Sequence, residues 1–528
     1  EFTFRCMRPE RILSRLDYFL ISSSLSNIVE ETYIRPGYLS DHSNIRIKLS
    51  IMDVPRGNGF WKLNCQLLHD TEYIDQIKST IKDISALNRD VNPHLMWETL
   101  KVAIRSSTIE YAARKKKSKN NVVTALEHRL NRLEQLSRFQ HSENVEKSIN
   151  EIKEELDTYI AEKTRGSMIR SRARWVEEGE HSTKYFFNLE KRNYNAKTMK
   201  CLRKRDNSII SDSKEILREL EFFYKGLYTS KFKIGQPSFQ EFENLERPRV
   251  SDDDRLNLDG PLRENEIIQA LKSSKNNKTP GTDGLPVEFY KMFWQDIRPY
   301  LMAAYEYTYE VGIMSYSQRQ GIITLLPKKD KDVLLVKNWR PISLLNVDYK
   351  ILAKILANRI KKVVHYLIGV EQTGFIDGRY IGENIVKILS ILEYCEENDI
   401  PAVLIAIDFE KAYDSVEWSA VEYAFQFFDF GPEIINWIKV LYKGINSCVI
   451  NNGNFSQFFE LERGVRQGCP LSPYLYIVVA ELLAIMIRKN KDIEGIDIEG
   501  TIHKIMQFAD DTTILSMLKQ ESITAIFQ

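Results

Sequence analysis

The chain has 528 residues, of which 43% are hydrophobic. This length predicts about three domains at roughly 150 residues each, and the apolar content excludes a disordered chain. Lys and Arg total 74 against 73 Asp and Glu, so binding to nucleic acid would need a local basic patch. The six cysteines lack zinc or disulfide spacing, which indicates a reducing compartment. We find no signal peptide and no apolar segment of the ~20 residues that span a bilayer, and we expect no membrane contact.

The first 163 residues predict a small β region followed by helices. Residues 16–21 have the apolar pattern of a buried strand, and residues 44–49 alternate polar and apolar side chains. The cluster of Pro and Gly at 55–59 predicts a domain boundary. Two helical stripes then flank a polar break at 140–142; they consist of Leu126, Leu130 and Leu133, and of Val145, Ile149, Ile152, Leu156 and Tyr159. A helical hairpin or a short coiled coil would bury both stripes.

Residues 165–205 are basic and aromatic. They contain twelve Lys or Arg against four Glu, with aromatic residues interleaved. Basic side chains bind phosphates by releasing counterions, and aromatic rings stack on bases. A solvated helix with a packed aromatic side would give the same pattern, so the segment alone leaves both interpretations open.

Helical and strand patterns are mixed after residue 255. Residues 263–271 begin a helix, residues 278–284 form a turn-rich loop, and residues 352–364 have helical spacing. The continuous apolar run 403–407 predicts a fully buried strand that ends at Asp408.

Two acidic sites interrupt apolar segments. Asp408 ends one segment, and Asp510 and Asp511 follow residues 505–509. Carboxylates in such places resist burial and repel each other, and a divalent cation relieves both effects. Two Mg²⁺ ions ~3.5–4 Å apart can activate a hydroxyl and stabilise the leaving oxygen in phosphoryl transfer. Because neighbouring side chains on a strand diverge, Asp511 would be a secondary ligand. The acids taken alone favour the alternative of an exposed Asp-Asp turn.

A loop between the two acidic sites, residues 464–473, favours a functional site over an exposed turn. Its glycines allow the backbone to approach another group closely. Ser472 and Pro473 fit the N-cap and the first position of a following helix.

Together these segments resemble motifs A, B and C of reverse transcriptases, and they are residues 406–414 (AIDFEKAYD), 466–473 (RQGCPLSP) and 508–511 (FADD). Further matches are residues 279–284 (TPGTDG), 325–329 (LLPKK), 338–344 (NWRPISL) and 371–375 (EQTGF). The matches span about residues 275–515 and resemble the polymerases of non-LTR, LINE-type retrotransposons. The resemblance implies an α+β right-hand polymerase with fingers and a partial palm. It also implies RNA-directed DNA synthesis from template RNA, a primer in the target DNA, and deoxynucleoside triphosphates.

The resemblance implies roles for individual residues. Asp408, Asp510 and Asp511 would hold two Mg²⁺ ions, with Mn²⁺ as the alternative ion. Phe409 would add a backbone carbonyl to this metal site. The ring of Tyr413 would act as a steric gate that leaves no room for a 2′-hydroxyl. The implied nucleotide-binding residues are Lys328, Arg340, Tyr413, Gln467 and Gly468.

The N-terminus carries a second resemblance. Residues 14–20 (SRLDYFL) and 40–43 (SDHS) resemble the last segments of exonuclease III-like endonucleases, which precede the polymerase in LINE-type proteins. The resemblance implies that His42 acts at the scissile phosphate, that Asp17 orients it and that Asp41 assists. The other acids of such a site would precede Glu1, so we expect a piece of a longer protein that cannot nick DNA by itself.

Residues 172–187 resemble the linker of LINE-type proteins, which favours nucleic-acid contact in the basic segment. The implied contact residues are Arg172, Arg174, Lys184 and Arg192. The expected domains are the end of an endonuclease at 1–52, a helical and basic linker at 53–250, and reverse transcriptase fingers and palm at 251–528.

Only 17 residues follow Asp511, too few for the primer grip and thumb of the family, so we expect weak or no activity from this chain alone. Two alternatives stay open. A group II intron-type maturase shares motifs A to C, although the endonuclease-like segment argues against it. A non-catalytic nucleic-acid-binding fragment is the other, although the intact acids argue against decay. A polymerase primed on chromosomal DNA implies localisation to the nucleus as well as the cytoplasm.

Overall fold

The structure, a computed structural model, describes residues 4–5, 13–35, 42–49, 56–87, 91–139, 143–171, 197–232, 239–242 and 245–527. The chain divides into two compact units. Unit 1 comprises residues 1–57 and 108–198, and unit 2 comprises residues 58–107 and 199–528. The division after Gly57 agrees with the boundary that the breaker cluster predicts. Residues 58–107 and 199–250 therefore fold in the same unit as residues 251–528.

The described strands are β1 (Phe4–Arg5), β2 (Leu13–Ser14), β3 (Val29–Arg35), β4 (Asn44–Leu49), β5 (Leu202–Arg203), β6 (Ile209–Ile210), β7 (Gln320–Pro327), β8 (Trp339–Leu345), β9 (Ala402–Ile407), β10 (Asn446–Asn451), β11 (Asn454–Phe455), β12 (Phe459–Glu460), β13 (Ile496–Ile498), β14 (Thr501–His503), β15 (Ile505–Phe508) and β16 (Asp511–Met517). The described helices are α1 (Thr71–Leu87), α2 (Pro93–Phe139), α3 (Glu143–Ser171), α4 (Ser213–Tyr228), α5 (Asp252–Asp259), α6 (Glu264–Lys272), α7 (Val287–Met292), α8 (Trp294–Val311), α9 (Val347–Ile360), α10 (Val364–Leu367), α11 (Ile381–Glu397), α12 (Ala412–Ser415), α13 (Trp418–Phe427), α14 (Pro432–Tyr442), α15 (Ser472–Lys489) and α16 (Gln520–Phe527).

The β region of unit 1 consists of two antiparallel hairpins, β1 with β2 and β3 with β4. β4 has the alternating burial that residues 44–49 predict. The buried strand predicted at 16–21 is wrong: these residues form a loop outside any strand, and Leu20 is 97% exposed. β3 and β4 pair with each other, and the run 16–21 lies outside the strands of the described residues.

Helices α2 and α3 confirm the two predicted stripes in unit 1. The buried members of their shared cluster are Leu126, Leu130, Ile149, Ile152 and Leu156, and the partly buried members are Val123, Leu133, Val145 and Tyr159. The helices end at Phe139 and begin at Glu143, and the predicted break at 140–142 lies outside the described residues. The stripes therefore pack on each other as hairpin partners do.

Unit 2 is a mixed α/β unit that contains two larger sheets. The five-stranded sheet has the order β11-β10-β7-β8, with β12 also paired to β10. In it β7 pairs antiparallel with β8 and parallel with β10. The three-stranded sheet has the antiparallel order β15-β16-β9.

The three-stranded sheet packs between two helices. Ile391 and Cys395 of α11 contact Met506 and Leu515 on one face. On the other face α15 contributes Ala484 and Ile487 to a cluster with β15 and β16. β9 is not the fully buried strand that its apolar run predicts, and Leu404 is 38% exposed. The reason is its place at the edge of the sheet within the described part of the chain, where a second neighbouring strand does not cover it.

Other local predictions have mixed outcomes. The helix predicted at 263–271 is α6, and the helical spacing at 352–364 belongs to α9 and α10. Ser472 is not the N-cap of α15, a position that Leu471 holds; the Ser472 hydroxyl instead donates to the carbonyl of Arg466 at 2.8 Å. Among the described residues, no helix is long and apolar enough to cross a membrane.

A buried charge network joins the first turns of α2 to the rest of unit 2. Lys101 donates to Oδ2 of Asp348 at 2.9 Å, and the Trp97 indole donates to the same oxygen at 2.8 Å. Asp348 is completely buried and Lys101 is 4% exposed. Asp283 lies close enough to both charges to be affected by them, and its Oδ2 is buried without a hydrogen-bond partner in the described structure. Burial, reinforced by Asp348, raises the pKa of Asp283 to about 7.

The raised pKa of Asp283 makes the stability of unit 2 depend on pH. Between the ordinary carboxyl pKa and about 7, folded Asp283 keeps a proton that the unfolded chain has released, so stability falls as pH rises through this window. We expect Asp283→Asn to gain melting temperature over the wild type as pH rises from about 5 to about 8, by a few degrees, since ~1 kcal/mol shifts the midpoint by ~2–4 °C in a large domain.

Thermal melting at several pH values checks this prediction. The exposed Asp492 supplies the control substitution Asp492→Asn, whose difference from the wild type should stay constant across the same range. A difference for Asp283→Asn that is equally flat would contradict the buried protonated carboxyl.

Candidate active site

The three acids that the sequence singles out meet at one edge of the three-stranded sheet. β16 pairs with β9 so that Thr512 lies opposite Ile407, and the next position in this register sets Asp511 beside Asp408. β15 pairs with β16 through Phe508 and Asp511, which leaves Ala509 and Asp510 as the turn of the hairpin. The Asp-Asp pair therefore lies at a hairpin turn against the end of the neighbouring strand, and the sheet itself brings Asp408 to it.

The backbone of the turn is in a conformation that glycine favours. Ala509 has a φ of 57° and lies at the first of the two turn positions. A two-residue hairpin turn commonly needs a positive φ at this position, and the side chain of alanine makes that φ costly. The hairpin thus presents Asp510 at the expense of local backbone strain.

The electrostatics of the acids fit a divalent cation. Burial raises the pKa of Asp510, and the charges of Asp511 and Asp408 raise it further. No three His, Cys, Asp or Glu side chains of the described ranges form a ready metal cage. Mg²⁺ is commonly bound by one or two carboxylates together with substrate phosphates rather than by a complete protein cage. Asp408 and Asp511 act electrostatically on Asp510, and all three side chains are oxygen donors, which is compatible with this mode of binding.

Positive side chains lie across from the acids on the β7–β8 hairpin. Arg340 of β8 is exposed, and its charge lowers the pKa of Asp510, so it acts on the acidic edge. Lys328 follows β7, where its backbone N–H donates to the carbonyl of Asn338 at 2.8 Å. Lys411 donates to the carbonyl of Trp339 at 2.9 Å, and both burial and the charge of Lys328 lower its pKa. Arg340 therefore places positive charge beside Asp510, and Lys328 lies near Lys411.

Tyr413 is the aromatic side chain of this site. Its ring stacks on the ring of Tyr476 with centroids 4.6 Å apart and planes 11° from parallel. Burial raises the pKa of the Tyr413 hydroxyl, and the charge of Asp510 adds to this effect. Because Tyr476 belongs to α15, this helix supports the Tyr413 ring through the stacking contact. The ring can therefore resist displacement by a ligand.

The loop 464–469 contacts both α12 and the β7–β8 hairpin. Ser343 of β8 donates its backbone N–H to the carbonyl of Gln467 at 2.8 Å. Gly468 has a φ of 111°, and a Cβ there would lie 2.7 Å from the carbonyl oxygen of Ser343. The Gln467 side chain donates to Oδ2 of Asp414 at 3.3 Å. Gln467 and Gly468 are therefore fixed between α12 and β8.

Asp414 is a site residue to which sequence reasoning assigned no role. It is completely buried and accepts a hydrogen bond from the Tyr228 hydroxyl at 2.8 Å. Burial raises its pKa to about 6, although the bond from Tyr228 opposes this shift. Its presence in the same motif as Asp408 and Tyr413 was the available signal. Asp414 fixes the Gln467 side chain by accepting a hydrogen bond from its Nε2.

The segment 371–374 is a second element whose role the sequence did not reveal. Gln372 is 1% exposed and hydrogen-bonds to both backbone groups of Ala509. Backbone bonds also run from Thr373 N–H to the Gln507 carbonyl and from Gln507 N–H to the Glu371 carbonyl, both at 2.9 Å. Residues 371–375 matched a family motif, which was the only sequence signal for this contact.

The predicted endonuclease residues are in unit 1. Nδ1 of His42 lies 2.8 Å from Oδ2 of Asp17, so these two residues do come together. Asp41 lies outside the described residues, as do the four predicted linker contacts Arg172, Arg174, Lys184 and Arg192. Their roles stay predictions.

Comparison with known proteins agrees with the motifs. Residues 326–527 match the family "Reverse transcriptase (RNA-dependent DNA polymerase)". The chain is 29% identical over 507 residues to the "Transposon TX1 uncharacterized 149 kDa protein" of Xenopus laevis, covering 95% of this chain and 38% of that protein. It is 27% identical over 259 residues to a "Retrovirus-related Pol polyprotein from type-1 retrotransposable element R2" of Popillia japonica, covering 48% and 35% of the two chains.

A third relative is the "RNA-directed DNA polymerase from mobile element jockey" of Drosophila funebris, which is 26% identical over 259 residues, 48% of this chain and 27% of that protein. The chain thus spans less than two fifths of the length of these three relatives. The family match at residues 326–527 includes the acids, β8 and the loop 464–469. The chain therefore carries a reverse transcriptase domain and is related to the proteins of non-LTR, LINE-type retrotransposons.

Proposed function

We propose that unit 2 carries out RNA-directed DNA synthesis, in which a primer 3′-hydroxyl attacks the α-phosphate of a deoxynucleoside triphosphate. One phosphorus–oxygen bond forms as the bond to pyrophosphate breaks. The observation that carries the proposal is the convergence of Asp408, Asp510 and Asp511 at one sheet edge, with Arg340 acting on the same edge. Template RNA and a primer in target DNA are the partners that the relationship to retrotransposon proteins supports.

The acidic and the basic side chains of the site would have different roles. Asp408, Asp510 and Asp511 would hold Mg²⁺ or Mn²⁺, with the backbone carbonyl of Phe409 as a further oxygen donor. Bound there, two divalent ions would supply Lewis-acid stabilisation of the attacking and leaving oxygens. Arg340 and Lys328 would bind the phosphates of the incoming nucleotide, for which the planar guanidinium of arginine is well suited.

The uncharged residues would select and orient the nucleotide. Tyr413, stacked on Tyr476, would lie under the sugar and exclude a 2′-hydroxyl. Gln467, fixed by Asp414 and Ser343, would contact the nucleotide, and Gly468 would let the backbone approach it. These residues pre-organise the site because their own positions depend on buried partners.

The metal assignment predicts the behaviour of Asp510→Asn. This substitution keeps the size of the side chain and removes its charge, and we expect primer extension on poly(rA)/oligo(dT) with Mg²⁺ to fall on the order of 100-fold or more. The exposed Asp492→Asn, in the same unit, should extend the primer as the wild type does.

Each outcome separates the competing interpretations. Equal extension by wild type and Asp510→Asn would contradict the assignment of this acid. Retained RNA binding with no nucleotide addition by either protein would favour a non-catalytic nucleic-acid-binding role.

The steric gate predicts a change in sugar selection. Tyr413→Ala should raise incorporation of ribonucleotides relative to deoxynucleotides by at least about tenfold, since loss of a clash worth ~1.4 kcal/mol changes a rate ratio tenfold. Tyr413→Phe keeps the ring and should retain the selection of the wild type. Single-nucleotide extension with each sugar measures the ratio, and an unchanged ratio in Tyr413→Ala would exclude the gate.

We further propose that residues 1–52 are the end of an exonuclease III-like endonuclease. The pairing of Asp17 with His42 supports this proposal, since a carboxylate can fix the tautomer of an imidazole that acts on a phosphate. We expect this chain to leave supercoiled plasmid intact in the presence of Mg²⁺, because the paired Asp17 and His42 do not by themselves supply the set of carboxylates that binds this ion. Metal-dependent nicking that disappears in His42→Ala would instead show that the chain contains a working nuclease.

The basic segment 165–205 is proposed as a contact for template RNA or target DNA. Its excess of Lys and Arg and its interleaved aromatic residues support this role. The domain assignment, with residues 53–250 as linker and 251–528 as fingers and palm, is proposed on the same family resemblance.

A further inference from the structure

The strained turn at Ala509 has a partner that satisfies its backbone completely. Oε1 of Gln372 accepts the Ala509 N–H at 2.8 Å, and Nε2 of Gln372 donates to the Ala509 carbonyl at 3.2 Å. A single carboxamide therefore binds both polar groups of the residue whose φ is 57°. These groups are buried, and a buried backbone group without a partner is destabilising, so the pairing favours this one conformation of the turn.

Hydrogen bonds and close backbone contacts hold the segment that carries Gln372 in place. Its Oε1 also accepts the N–H of Gly374 at 2.9 Å, and a Cβ at Gly374 would lie 2.5 Å from the nitrogen of Ala509. Only glycine at 374 permits this close approach. Nδ2 of Asn384, on α11, donates to the carbonyls of Glu371 and Gln507 at 3.1 and 2.8 Å. The carboxamide therefore reaches Ala509 from a segment that is fixed to β15.

Arg379 completes this support from the other end of the segment. Its guanidinium donates to the carbonyls of Gln372 and Ile368 at 2.8 and 3.0 Å, and also to those of Gly369 and His365. Because one guanidinium binds four backbone carbonyls, it fixes the backbone conformation of residues 365–372. The position of Gln372 thus depends on hydrogen bonds within residues 365–384 and to β15.

We propose that Gln372 is a positioning residue of the polymerase site: its carboxamide holds Ala509 in the left-handed conformation and thereby sets Asp510 and Asp511 against Asp408. The proposal rests on the proposed function above and deepens it, because it adds the residue that fixes the metal-binding edge. Gln372 touches neither metal nor substrate and acts through the backbone of the turn.

The amide group is required for this role. A glutamate at 372 could still accept the two N–H groups, but it would lack the donor for the Ala509 carbonyl and would add a negative charge beside Asp510. A methionine has similar length and packs well in a buried site, but it offers neither the donor nor a comparable acceptor. Gln372→Met therefore removes the hydrogen bonds at little change in volume.

The test combines Gln372→Met with Ala509→Gly. Glycine adopts positive φ without steric cost, so it should keep the turn in place when the carboxamide is absent. We expect Gln372→Met to lower the kcat of primer extension at least about tenfold, since misplacement of reacting groups by ~1 Å costs on the order of 100-fold. The KM for the deoxynucleotide should change little, and the double variant should recover most of the lost kcat.

Binding of Mn²⁺, measured by electron paramagnetic resonance without nucleotide, supplies a readout separate from catalysis. We expect the Mn²⁺ affinity to fall in Gln372→Met and to return in the double variant. Gln318, which is also 1% exposed, lies in unit 2 and accepts the N–H of Ser315 at its Oε1, gives the matched control Gln318→Met. Whatever its effect on melting temperature, this control should keep the kcat and Mn²⁺ affinity of the wild type.

Several results would overturn the proposal. One is a folded Gln372→Met protein with the kcat and Mn²⁺ affinity of the wild type, and another is a loss that Ala509→Gly does not restore. If the wild type binds Mn²⁺ but extends no primer, the Mn²⁺ comparison alone decides the role of Gln372. A wild type that does neither would contradict the proposed function, and the positioning role with it.

Discussion

The antiparallel pairing of β16 with β9 is the constraint on which the active site depends. It fixes Thr512 opposite Ile407, so the acid that ends β9 and the acids of the β15–β16 turn meet at one edge. A slip of one residue would move every side chain of β9 to the opposite face of the sheet. The register is specified because Ile405 and Ile407 pack in the cluster formed with α15. Apolar packing on the sheet face thus determines where the carboxylates lie.

Bringing three carboxylates together is unfavourable, and the surrounding structure compensates in two ways. Arg340 places positive charge near Asp510 and opposes the repulsion among the acids. Gln372 and the segment 371–374 hold the turn through uncharged hydrogen bonds, which leave the carboxylate oxygens available for other ligands. The repulsion that remains, visible in the raised pKa of Asp510, is the property that favours a divalent cation.

The sequence predicts the parts of this site that depend on local pattern. Asp408, Asp510, Tyr413 and Gln467 lie in short motifs, and the stripes of α2 and α3 follow directly from helical spacing. The contact of Gln372 with Ala509 joins residues 137 positions apart and leaves no local signal. The exposure of Leu404 also could not be predicted, because an apolar run looks the same on a central strand and on an edge strand. The run at 16–21 shows the same limit, because its apolar pattern does not reveal whether it pairs with a neighbouring strand. In the structure β3 and β4 pair with each other.

The loop 464–469 lies between α12, which follows the strand that ends beside Asp408, and β8, which carries Arg340. Its backbone bonds to α12 through Val465 and Tyr413 and to β8 through Ser343 and Gln467. Gly468 permits the second contact, because any Cβ there would lie 2.7 Å from the Ser343 carbonyl. Asp414 and Tyr228 support the same loop from the core. A glycine and a buried carboxylate therefore fix the loop that lies between α12 and β8.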